Sequence, residues 1–378
     1  MKNIYLDNAA TTKIDSEVLE VMHNTMQTNY GNPSSTHQFG RKAKSAVETA
    51  RKNIAKYFNV SASEIIFTAG GTEADNLILN NAILNLGVKR IITSRIEHHA
   101  VLNTINYLKE NFSIKVDFVS VDKNGKIDLN ELEKLLVKSK DKTLVSLMFI
   151  NNEIGNILDV SAVSNLCEKF HALFHSDSVQ AIGHYRIDLQ ETPIDFIVAS
   201  AHKFHGPKGV GFAYFKKGFG ILPMFHGGNQ EKGARSSTEN VHSILGMEKA
   251  LEIAISNLAK DKIYIENIKA YFISELKNNI PNIAFNGLSF NLEESSYNIL
   301  NVLFPLENNM LLFSLDLAGI AVSGGSACQS GGNKGSHVLS EILSTDQINK
   351  TSVRFSFSKF TTTKEIDYTI LKLKELLV

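Results

Sequence analysis

Cysteine is nearly absent: Cys167 and Cys328 are the only two in 378 residues. Two are too few for a disulfide framework, and their spacing fits no zinc site, so no metal is expected. Such usage points to a reducing compartment, and a cytoplasmic protein is the expectation. An excess of one charge is missing too, since 39 basic residues balance 39 acidic ones. A neutral chain exerts no global pull on nucleic acid or an anionic membrane, so neither is expected as a partner. No uninterrupted apolar run reaches bilayer length. The start, MKNIYLD, lacks an apolar core of signal-peptide length.

What is there reads as an ordinary α/β enzyme. Hydrophobic residues make up 43% and charged ones 21%, and the length exceeds what one core usually supports, so two domains are expected. Short apolar runs alternate with helical spacing. Strands are predicted at 65–68, 90–93, 116–119, 144–150, 172–175, 196–199 and 210–214, with helices at 44–57, 73–86, 101–111 and 159–170 between them. A long helical pattern over 241–278 suits a connection between domains. Shorter elements follow: strands at 299–304, 320–322 and 352–357, and helices at 310–317 and 365–376.

Several loops carry chemical signals. Ala69-Gly70-Gly71-Thr72 lies between a strand and a helix, where free N–H groups and the helix dipole favour an anion. It is neither a P-loop nor GxGxxG, so it gives no nucleotide reading. His98 and His99 are adjacent and on a regular element could not both face one ligand point, which argues against a metal site. Residues 120–131 mimic calcium-loop spacing, but the simpler reading is an Asn-Gly turn with Asp128 capping the next helix. Asp177, with Gln180 three residues on, stands at a strand's C-terminal end, where α/β enzymes place functional groups; a helix N-cap is the equal alternative. Cys167 reads as a small buried hydrophobe.

The stretch at 200–211, SAHKFHGPKGVG, is the focus. It follows a buried strand and places Ser200, His202 and Lys203 before a Gly-Pro break. Burial lowers a lysine's pKa and makes it a usable amine nucleophile, so Lys203 reads as a Schiff-base lysine for a carbonyl cofactor. Taken alone, such a residue is far more often an ordinary surface lysine. Near the other end, a glycine- and serine-rich loop at 323–332 carries Cys328, and a later strand carries Arg354.

In order along the chain stand YLDNAATT, GNPSSTH, GGTEADN, EHHAV, NNEIG, HSDSVQAIG, SAHKFHGPKGVG, RSSTEN, SGGSACQSG, SHVL and VRFSFSKFTT. Together these resemble the cysteine desulfurases, in the class V aminotransferase group of fold-type I pyridoxal-phosphate enzymes. The resemblance covers almost the whole chain, and its specificity lies in the conjunction. It implies a large domain at 13–255 with a mainly parallel seven-stranded sheet, and a smaller α/β domain from 1–12 and 256–378. It implies that Lys203 carries pyridoxal 5'-phosphate, Asp177 pairs with the pyridine nitrogen, Gln180 bonds the ring hydroxyl and His98 stacks on the ring and shuttles protons. Gly71, Thr72, Ser200 and His202 would hold the phosphate, with Thr238 reaching the phosphate of a neighbouring subunit in a homodimer. Arg354, with Asn152, would clamp the substrate carboxylate.

The resemblance also implies the reaction. L-cysteine gives up its sulfur to the Cys328 thiolate, L-alanine leaves, and the persulfide passes to acceptor proteins such as an iron–sulfur scaffold or a sulfur carrier, for iron–sulfur cluster assembly or tRNA thiolation. A selenocysteine lyase shares fold and cofactor, and an inactive scaffold relative is a further alternative. An aminotransferase needs no acceptor thiol, which Cys328 argues against. Three positions depart from the family pattern: Lys13 and Gly335, where prolines are usual, and Ser358, where glycine is usual. Gly335 is expected to loosen the far end of the cysteine loop.

Overall fold

A computed structural model describes residues 3–138, 140–308, 310–324 and 335–377. Cys328 lies outside the described residues.

The strands in chain order are Ile4–Tyr5 (β1), Ile65–Thr68 (β2), Arg90–Ser94 (β3), Lys115–Val119 (β4), Thr143–Ser146 (β5), Leu173–Asp177 (β6), Phe196–Ser200 (β7), Gly211–Phe215 (β8), Ala284–Phe285 (β9), Ile299–Leu303 (β10), Ile320–Ala321 (β11) and Ser352–Ser356 (β12). Seven form the main sheet, in the order β2-β8-β7-β6-β5-β3-β4. It is parallel except for β8, which runs antiparallel to both neighbours. Strands β2, β3, β5, β7 and β8 are buried along their whole length. Helices cover both faces of such a sheet, which is why these strands read as continuous apolar runs.

Side chains alternate between two cores, as a pleated strand requires. Ile65, Phe67, Ile197, Ala199 and Phe212 pack on one face with helix Gln38–Tyr57. Ile66, Phe196, Val198 and Ala213 pack on the other with helices Gly71–Leu84 and His99–Phe112. A separate core gathers Ile4, Leu6, Phe272, Val302 and Phe355. Around it stand the antiparallel sheet β12-β10-β9 and helix Thr363–Leu376. Helix Val241–Asn279 spans both regions: Ile244 and Met247 belong to the first core, Ile268 and Phe272 to the other.

Local differences from the sequence expectations have local causes. The helix expected from residue 44 begins at Gln38, because the His37 side chain caps it by accepting from the Gly40 N–H. Helix Ser16–Thr28 was not expected; its signal was Asp15, which accepts from the Glu17 N–H. At 120–131, Asp122 accepts from the Asn124 and Lys126 N–H groups, Gly125 takes φ +74°, and Asp128 caps helix Leu129–Val137. Lys13 offers its backbone oxygen to His205, and Ser358 Oγ accepts from the Phe360 N–H. A Cβ added to Gly335 would meet nothing within 4 Å among the described residues.

Candidate active site

Strands β2, β3, β5, β6 and β7 end on one edge of the main sheet, and a cavity of about 330 Å³ opens there. Ligands of open α/β sheets bind at this carboxyl edge. Ten of the expected site residues line it: Gly71, Thr72, His98, Asn152, Asp177, Gln180, Ser200, His202, Lys203 and Arg354. A larger cavity, about 430 Å³, shares Met148 with it. That one lacks the glycine turn and the Lys203 stretch, so volume alone does not single out the site.

Lys203 follows β7 in a single 3-10 turn. Its Nζ donates to Ala9 O at 2.7 Å and Ala10 O at 2.8 Å. The N-terminal segment, tied to β12 through the Asp7–Ser356 bridge, therefore holds the amine in place. Gln180 Nε2 donates to the same Ala9 O at 2.9 Å, so its amide nitrogen is already engaged. Asp177 ends β6 and accepts from the Val179 N–H at 3.0 Å.

His98 is the N-cap of helix His99–Phe112, and its Nδ1 accepts from the Ala100 N–H at 3.1 Å. In the neutral ring that places the proton on Nε2. Burial holds its pKa below the ordinary imidazole value; Lys203 and His337 add to this and Asp177 opposes it. His99 lines the cavity too, contrary to the expectation from adjacency. The reason is the cap: His98 stands outside the helix and His99 opens it, so the helical rule does not separate them.

The other end is built for an anion. Helix Gly71–Leu84 points its N-terminus at the cavity, and Gly70 has φ +155°. A Cβ on Gly71 would come within 2.8 Å of Val179 Cγ2, so the backbone must be bare there. Ser200 and His202 stand beside it, and Lys208 lines the adjoining groove. Burial first, then Lys203 and Lys208, holds His202 down to about 4.

Arg354, on β12, is 2% exposed. It donates from Nη1 to Asn152 O and from Nη2 to Asp7 Oδ1, both at 2.8 Å, while its buried Nε has no hydrogen-bond partner among the described residues. Asn152 thus contributes its backbone oxygen to Arg354. Thr238 lies apart, in a groove of about 200 Å³ with Glu231 and Arg235. Arg235 pairs with Glu73 at 2.8 Å in the same chain.

Sequence reasoning missed Asp75, Glu153 and His337, which also line the cavity. Asp75 and His337 fall inside the quoted segments GGTEADN and SHVL, so the segments were visible and the inward direction of these side chains was not. Ser336 donates to Glu153, whose pKa burial raises.

Comparison with known proteins agrees with this geometry. The family model for aminotransferase class-V matches residues 4–369. A cysteine desulfurase IscS from Dictyoglomus turgidum is 40% identical over 371 residues, 98% of this chain and 93% of that protein. A solved NifS-like protein superposes with a TM-score of 0.91 at 39% identity, covering 100% of this chain and 99% of that one. A structure of SspA in complex with cysteine gives a TM-score of 0.81 at 29% identity over 95% and 100% of the two chains. The fold and the site edge define a class V aminotransferase-type α/β enzyme. Within that class the chain belongs to the cysteine desulfurases.

Proposed function

We propose that this chain removes sulfur from L-cysteine, releases L-alanine, and holds the sulfur as a persulfide for delivery to acceptor proteins. The observation that carries the reading is the convergence of Lys203, Asp177, His98 and Arg354 on one cavity beside a bare glycine turn.

The residues fit pyridoxal 5'-phosphate. The helix N-terminus at Gly71 with Thr72, Ser200 and His202 suits the phosphate. Asp177 suits a protonated ring nitrogen, Gln180 the ring hydroxyl, and Lys203 the aldehyde carbon. Bound there, the cofactor supplies an electron sink that stabilises a carbanion beside the amine.

The chain's own residues do the rest. Arg354, already oriented by Asp7 and Asn152, presents a guanidinium to the substrate carboxylate. Lys203 and the neutral His98 are the groups placed to move protons at the substrate carbon. The Cys328 thiolate attacks the substrate sulfur. An S–S bond forms, the C–S bond breaks with its electron pair left on carbon, and that carbon takes a proton to become alanine. Cys167 is no rival thiol: it is 3% exposed, and burial, then Asp195, pushes its pKa up.

Thr238 supports a homodimer in this reading, since it lies outside its own chain's cavity, in a separate groove. Sedimentation showing an active monomer would count against it. The two cores support residues 13–255 as the large domain and residues 1–12 with 256–378 as the small one. Among the described residues no helix is long and apolar enough to cross a membrane. The scarcity of cysteine, two in the sequence, supports a cytoplasmic setting. The names of the IscS relatives support an iron–sulfur scaffold among the acceptors.

Cys328→Ser tests the central step. The variant is expected to keep the cofactor, show a spectral shift on adding cysteine, and yield neither alanine nor persulfide. Mass spectrometry of the parent should find one added sulfur on the Cys328 peptide and none on Cys167. Alanine release by the serine variant at the parental rate would overturn the assignment.

A further inference from the structure

Asp75 is an acid on the cavity wall that the proposed chemistry does not use. Asp75 stands one turn into helix Gly71–Leu84 and is 1% exposed. Oxygens of Asp75 and Asp177 and a ring nitrogen of His98 all lie within 4.8 Å of one another. Behind it, His175 on β6 brings Nε2 to 3.3 Å from Asp75 Oδ1. The His175 Nδ1 lies 2.9 Å from Ser146 Oγ on β5, and both residues are fully buried. Glu97 is the further acid that faces Asp75. No lysine or arginine forms an ion pair with Asp75 among the described residues, where His175 is its one basic neighbour at ion-pair distance.

Burial and these contacts together bear on where the protons sit. Asp75 Oδ1 and His175 Nε2 are buried and neither has a partner in hydrogen-bond geometry for a ring N–H donor. A neutral imidazole that donates from Nδ1 to Ser146 Oγ leaves no proton on Nε2, the nitrogen 3.3 Å from Asp75 Oδ1. In that arrangement His175 offers Asp75 no N–H, so the proton belongs to the buried Asp75 carboxyl. An ionised Asp75 would be a buried charge beside Asp177, with no hydrogen-bond donor to its Oδ1 among the described residues. The electrostatics agree: burial, then Asp177 and Glu97, raises Asp75 well above the usual carboxylate range, and burial holds His175 down to about 3. Burial likewise pushes Glu97 up to about 8.

We infer that Asp75 is a positioning residue, kept as a neutral acid by His175 and Ser146, so that Asp177 alone of the two neighbouring aspartates presents negative charge to a cationic ring nitrogen. This rests on the reading of the cavity as a pyridoxal-phosphate site with Asp177 at the ring nitrogen.

Infrared difference spectroscopy of the holoenzyme, Asp75→Asn minus parent at neutral pH, tests the protonation state directly. The variant is expected to lose a protonated-acid carbonyl band; loss of an ionised-carboxylate band would overturn the inference. If Asp75→Asn does not fold, the parent labelled with 13C-aspartate answers the same question, because one buried aspartate carboxyl must stay protonated through neutral pH. Cofactor dissociation gives the second readout. Asp75→Asn, which is neutral like the native acid and can donate to His175, should bind within about threefold of the parent, and the pH dependence of the visible band should not move. Asp75→Ala leaves His175 Nε2 unpaired and should bind about tenfold more weakly. A pH-shifted band in Asp75→Asn would mean that Asp75 carries charge, and the inference fails. Asp177→Asn separates this from the underlying reading: it should weaken cofactor binding about 10–100-fold. If it does not, the role given to Asp177 fails, while the infrared band still judges Asp75.

Discussion

The molecule buries ionisable groups in two places, for different ends. In the second core Lys269 is fully buried, and its Nζ donates to Ser295 Oγ at 3.0 Å and Ser296 O at 2.7 Å. Around the cavity, Asp75 Oδ1, His99 Nε2, His337 Nδ1 and Arg354 Nε are buried without hydrogen-bond partners among the described residues. Burial shifts groups in both: it lowers Lys269 to about 7 and raises Asp75 and Glu97. A perturbed group is therefore not by itself a sign of chemistry. What marks the site is convergence. Several elements bring functional side chains to one cavity, whereas Lys269 bonds two acceptors within the core.

The comparison can be broken at its strongest point first. Lys203→Ala should lower turnover by about 10²–10⁴-fold and abolish covalent retention of the cofactor. Borohydride reduction and peptide mapping of the parent should label Lys203; a label on Lys208 would refute the assignment. Next, Arg354→Ala should cost about 10–100-fold in kcat/KM for cysteine while the cofactor's visible band is kept. An unchanged kcat/KM would remove Arg354 from substrate binding.

A smaller effect is expected at the glycine turn. Gly71→Ala drives a methyl group against Val179 and should weaken cofactor binding by about 1–3 kcal/mol. The double variant with Val179→Ala should recover most of the loss; no recovery would mean that the close approach is not what Gly71 provides.

Lys269 supplies the control on the other side. Its ammonium is lost at about 7 in the folded chain and only near the ordinary lysine value when unfolded. Between those values the unfolded chain binds more protons, so this group makes stability rise with pH, by up to ~1.4 kcal/mol per unit. Urea unfolding of the parent and Lys269→Met at neutral pH and about two units higher checks the sign: the gap should move in the parent's favour at the higher pH. Activity measured at neutral pH should be unaffected if Lys269 is structural.

Much of the fold was legible because its signals are local. The long helix was expected over 241–278 and spans Val241–Asn279, and the buried strands of the main sheet announced themselves as apolar runs between helical patterns. Helix Ser16–Thr28 passed unnoticed because its cap, Asp15, is a single polar residue before a mixed segment with only Val18 and Thr25 buried.

The sequence by itself determined the family, through the conjunction of separated motifs, and with it the identities of the expected site residues. It also determined the strand, glycine turn and helix at 65–84, since those are properties of neighbouring residues. Only the tertiary structure decided that Ala9 and Ala10 hold Lys203, that Asp7 orients Arg354 from 347 positions away, and that Arg235 pairs with Glu73. It alone brought Asp75, His175 and Ser146 together from one helix and two parallel strands. Contacts of that kind follow from strand order and from the direction in which each helix presents its side chains. Neither is written in the residues next to the groups concerned.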